Sequence, residues 1–126
     1  MYGIKKRTNG TYEEVVERTR EELKKEGFGI ITEIDVKATL KKKLDVDFDK
    51  YVILGACNPK FAHKALLCER DIGLMLPCNV IVYEQDSNVF VAAIKPLVAM
   101  GMIDNPELKS IAGEVEQLLK KVVERV

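Results

Sequence analysis

Tyr51-Val52-Ile53-Leu54-Gly55-Ala56-Cys57-Asn58-Pro59 is the stretch on which the fold turns. From Tyr51 to Cys57 it is apolar on both faces and β-branched at Val52 and Ile53, the pattern of a strand buried inside a sheet. Asn58 then has the chemistry of a helix N-cap, and Pro59 suits a first helical position. The chain is expected to pass straight from strand into a helix running from Pro59 to about Glu69.

Downstream, Pro77 closes a loop and Cys78 to Gln85 reads as the next strand. Asp86-Ser87-Asn88 is turn chemistry, so Val89 to Lys95 returns as the hairpin partner. After Pro96 comes a short apolar segment with Met100 and Met102. Asn105-Pro106 then repeats the cap-plus-proline start and opens a helix to the C-terminus. Its apolar positions, Leu108, Ile111, Val115, Leu119 and Val122 among them, form a stripe about 140° wide at 100° per residue. That exceeds one core face, so part of it is free to meet a second subunit unless the sheet, Met100 and Met102 cover it all.

Upstream, Ile4 to Arg7 suits a short first strand. Thr11-Tyr12-Glu13-Glu14 has capping-box spacing, and the helix it starts stops at Gly27. Phe28 to Val36 alternates as a second strand. Glu33 and Asp35 share one of its faces, where an exposed face is a simpler reading than a paired-carboxylate site. Lys37 to Leu44 follows as a short helix with Leu40 and Leu44 inward. Its run Lys41-Lys42-Lys43 is answered by Asp45, Asp47 and Asp49, with no interleaved aromatic platform, and reads as a solvated face. The fold class is α+β: a mainly antiparallel five-strand sheet with helices packed on it and a long C-terminal helix, one domain over residues 1–126.

Composition limits the partners. Of 126 residues 47% are hydrophobic and 32% charged, which is globular rather than disordered. Twenty basic and twenty acidic side chains cancel, leaving no field to draw the chain onto nucleic acid or a membrane surface. The N-terminus, MYGIKKRTNG, contains no apolar stretch long enough for a signal h-region, and no segment approaches the roughly 18 apolar residues of a membrane span. Three cysteines without a secretory context argue for free thiols and a cytoplasmic setting.

Helical phase separates those cysteines. Cys68 shares a face with Phe61 and Ala65 and reads as a small core residue, while His63 lies among lysines on a wet face. Cys57 ends a strand just before a helix N-terminus, where unpaired N–H groups favour a thiolate and a pKa below about 8.5. Cys78 begins the neighbouring strand, so the two thiols are expected near one sheet end. Both also suit plain packing. No CxxC or HxxxH spacing marks a zinc site, although Met75, Met100 and Met102 offer soft thioethers. No GxSxG, GxxxxGK[ST] or GxGxxG motif occurs.

Ile34 to Leu40, Leu54-Gly55-Ala56-Cys57-Asn58-Pro59, Leu76-Pro77-Cys78-Asn79-Val80 and Asn105-Pro106-Glu107-Leu108 together resemble the domain of unknown function 302 family. The resemblance spans essentially the whole chain. It implies a compact α+β domain, helices on a mainly antiparallel sheet and a homodimer, and it carries no activity or cofactor. The family's cysteine-bearing motifs fall on Cys57, Asn58, Pro59, Pro77 and Cys78.

Three functional readings follow. One is a binding module for a small ligand or soft metal ion at Cys57, Asn58 and Cys78. Another is a dimeric interaction domain with packing cysteines. The third is a thiol-dependent redox enzyme, for which Cys57 is the candidate nucleophile and no base is placed.

Overall fold

The strand Tyr51–Cys57 lies inside the sheet, hydrogen-bonded on both sides, as its two-faced apolar pattern requires. The computed structural model describes all 126 residues. In chain order they form β1 (Gly3–Thr8), α1 (Tyr12–Lys25), β2 (Gly29–Asp35), α2 (Val36–Leu44), β3 (Tyr51–Cys57) and α3 (Pro59–Cys68). A 3₁₀ turn (Arg70–Met75) leads to β4 (Cys78–Gln85), β5 (Asn88–Ile94), the single-turn α4 (Pro96–Ala99) and α5 (Pro106–Arg125). The strands make one five-stranded sheet in the order β1-β5-β4-β3-β2, and every neighbouring pair is antiparallel. The architecture is α+β, as expected.

Alternation along the strands divides the sheet into two unlike faces. Val52, Leu54 and Ala56 on β3, Val80 and Val82 on β4, and Val89, Val91 and Ala93 on β5 are buried. They share one cluster with Val15 and Leu23 of α1 and with the inner stripe of α5. On the opposite face Tyr51, Tyr83 and Phe90 are only half-buried, stacked at ring separations of 5.3 Å and 5.3 Å, with the Lys5 ammonium 4.6 Å from the Phe90 centroid.

Several boundaries follow from local chemistry. Thr11 Oγ1 accepts from the Glu14 N–H and Glu14 Oε1 accepts from the Thr11 N–H, both at 3.1 Å, which completes the capping box. Asn105 Oδ1 accepts from the Leu108 N–H at 3.2 Å and caps α5. Gly27 stops α1 with φ +85. All the apolar positions of α5 named above are buried within the chain. No helix is long and apolar enough to cross a membrane.

Elsewhere tertiary context changes the reading. Asp35 ends β2 and caps α2 through the Ala38 N–H at 2.9 Å, so α2 begins one residue earlier than its pattern indicates. Leu40 is half-buried and Leu44 is 66% exposed, not inward, because α2 lies beside β2 and β3 with no further layer above it. β2 is an edge strand carrying a bulge between Ile30 and Thr32, which leaves Ile31 62% exposed. Met100 is core, whereas Met102 stands in solvent.

Candidate functional site

The site grows from the end of β3. Ala56 is the cross-strand partner of Cys78, and Cys57 is the partner of Gly29 on β2. The two thiols are therefore one register position apart on adjacent strands rather than directly opposed. Both nevertheless line the same cavity, together with Asn58. The space has a volume of about 340 Å³ and nineteen lining residues, fifteen of them hydrophobic. Phe61 and Ala65 of α3 form one wall, Leu108, Ile111 and Val115 of α5 another, and Phe28, Pro77 and Met100 fill the corners. Ile31 and Gly73, both exposed, mark where it meets solvent.

Asn58 holds the N-cap position of α3, where its carbonyl accepts from the Ala62 N–H at 2.9 Å, but its side chain does not cap the helix. Its Nδ2 donates to the Glu26 carbonyl at 3.2 Å, and no side-chain cap bond is made to the helix. The amide thus ties the start of α3 to the end of α1. The partner is supplied by a turn 32 residues away, which a local reading cannot see. Gly27 lies beside this bond and is called for by its φ of +85, since a Cβ there would make only an ordinary 3.4 Å contact with Asn58 Nδ2.

The thiols are all free. Burial pushes Cys78 up to about 11, and the neighbouring Cys57 adds to the effect, so Cys78 is a protonated thiol near neutrality. Cys68 is half-buried, its Sγ 3.5 Å from the Ala65 carbonyl, and it does not line the cavity. His63 is exposed and also lies off it. Met75 borders a smaller crevice that shares Cys78 and Met100 with the cavity. No group of three or more His, Cys, Asp or Glu side chains comes together. Glu33 pairs with Arg20 and Asp35 caps α2, which accounts for both carboxylates.

Reading the cysteine motifs missed the α5 wall. Leu108, Ile111, Ala112 and Val115 are buried in the core and also bound the cavity, so the signal for that wall is the apolar stripe itself rather than its excess width.

A family model described as Domain of unknown function DUF302 matches residues 4–126. Among curated proteins none matches the chain. A solved structure, the crystal structure of an uncharacterized conserved protein DUF302 from Bacillus stearothermophilus, is 33% identical and superposes with a TM-score of 0.93. The similarity covers 99% of this chain and 98% of that one. With the family model spanning nearly every residue and the same fold in that relative, the chain belongs to the DUF302 family of domains of unknown function.

Proposed function

We propose that the chain is a binding module that takes a small apolar molecule between β3, α3 and α5. The observation that carries this reading is the cavity of about 340 Å³ at the end of β3, with fifteen hydrophobic residues among nineteen. Small-molecule sites run from roughly 300 to 1,000 Å³ and are largely apolar, so the space is at the compact end of that range. Cys57, Asn58 and Cys78 belong to its wall. A soft metal ion is the weaker occupant, because no third His, Cys, Asp or Glu joins the two thiols. Free thiols suit a cytoplasmic setting. The test is an amide NMR titration of the purified chain with octanol, cyclohexanol and naphthol. Saturable shifts clustered on the end of β3, α3 and α5 are expected from at least one probe. No saturable shift with any of them overturns the reading.

A second reading, a homodimeric interaction domain, is favoured by one observation of its own. The Tyr51-Tyr83-Phe90 ladder is a flat, half-exposed aromatic strip on the sheet face away from the core, and Phe48 beside it is 43% exposed. A two-fold pairing of such strips is isologous and buries aromatic surface on both copies. Sedimentation equilibrium at micromolar concentration should then give a dimer that Tyr83→Glu converts to monomer. A monomeric parent chain sinks it.

A further inference from the structure

We propose that the cavity is built for a neutral aromatic molecule of about two fused rings rather than for an aliphatic chain; this rests on the cavity being a ligand site at all. Size comes first. An apolar cavity of ~150 Å³ accommodates one benzene. The space here, about 340 Å³, is some twice that.

Charge comes next. No residue in the wall is charged, and the Nδ2 of its one side-chain amide, Asn58, already donates to the Glu26 carbonyl at 3.2 Å. A carboxylate or ammonium drawn into this space would give up water without meeting an opposite charge, so neutral ligands are favoured.

The wall chemistry then separates aromatic from saturated occupants. Three sulfur-bearing residues border the space: Cys57, Cys78 and Met100. They come from three separate segments, the end of β3, the start of β4 and the turn after α4. Polarizable sulfur attracts the edge of an aromatic ring and offers no such contact to a saturated carbon. Phe28 and Phe61 add edge-to-face or offset-stacked contacts open only to another π-system. A saturated molecule of the same skeleton is more strongly expelled by water and would win if the wall were purely aliphatic. A preference for the aromatic member therefore reports the wall, not hydrophobicity.

The test is calorimetric titration of the whole chain with naphthol and with decahydronaphthol, which share skeleton and hydroxyl. Naphthol is expected to bind tighter by about three- to tenfold. Met100→Leu keeps the volume and removes one sulfur, as Cys57→Ala removes another, so in each the ratio of naphthol to decahydronaphthol affinity should fall toward one. Equal affinities, or tighter decahydronaphthol, overturn the aromatic assignment and leave the cavity as a general apolar site. A preference unchanged in both variants overturns the role given to sulfur. Binding of neither probe overturns this assignment; if octanol and cyclohexanol also give no saturable amide shift, the ligand-site reading falls with it.

Discussion

Cys78 combines a buried position in the core with a place in the wall of the cavity. Its thiol loses hydration on folding, and this raises its pKa from the ordinary 9.0 to about 11. In the unfolded chain the same thiol ionises near its ordinary value. Below pH 9 both states hold the proton, and the group's stabilising contribution is complete. Between pH 9 and 11 the unfolded state releases a proton that the folded state retains, so stability falls as pH rises. The loss should be on the order of 2–3 kcal/mol across that window. Urea denaturation at a series of pH values checks it: the alkaline loss should be smaller in Cys78→Ala, whose difference from the parent cancels the titration of tyrosines and lysines. Parallel curves would remove the claim. Cys57 and Cys78 were legible as neighbours from the sequence because consecutive strands usually pair, which sets the end of β3 beside the start of β4. The role of Asn58 was not, since its partner carbonyl at Glu26 belongs to a turn that only the tertiary fold brings near.

At the scale of elements, β3 shows how tightly the sheet is closed around its glycine. A Cβ on Gly55 would lie 1.9 Å from Thr32 Oγ1 and 2.8 Å from Pro77 Cγ. Thr32 is the cross-strand partner of Gly55, and Pro77 precedes β4, so the absent side chain lets β2 and the β4 approach close over β3. Gly55→Ala should cost roughly 1–3 kcal/mol, toward the upper end, as overpacking with a backbone shift does. Thr32→Gly in the same chain should recover only part of this, because the Pro77 contact remains. Denaturant midpoints measure both; a Gly55→Ala midpoint equal to the parent's would show that the strands can part at little cost. Elements whose signals are local were readable in advance: the capping box at Thr11, the Asn105 cap, the turn Asp86-Ser87-Asn88 and the α5 stripe. α2 was misread because a helix period says which residues could be inward, not whether anything lies there to bury them. The bulge at Ile31 arises from the pairing of β2 with β3, which alternation within a single strand does not encode.

The whole molecule has a core that stops short of filling the space between α3, α5 and the β3 end. A space of about 340 Å³ beside a core of 23 buried residues leaves wall atoms without partners on one side, a loss of dispersion and burial that close packing would avoid. Two routes recover it. A bound molecule stabilises the fold by linkage, about 2.7 kcal/mol when its concentration is 100 times Kd. A larger side chain recovers it permanently. Ala65 is 5% exposed, borders the space from α3 and sits in a helix, where leucine is a good former. Ala65→Leu adds three carbons at about 0.8 kcal/mol per buried methylene, reduced by ordering the side chain, so a gain of roughly 1–2 kcal/mol is expected. For a chain of this length that is a rise in Tm of several degrees, of the order of 3–6 °C per kcal/mol. The same variant should lose most of the further rise that saturating naphthol gives the parent, because one volume cannot be filled twice. Differential scanning calorimetry of parent and variant, each with and without naphthol, reads both effects. If Ala65→Leu lowers Tm, the space closes in solution and the core is already packed. If it raises Tm but keeps the full naphthol shift, the ligand binds elsewhere, and the aromatic strip on the outer sheet face becomes the place to look.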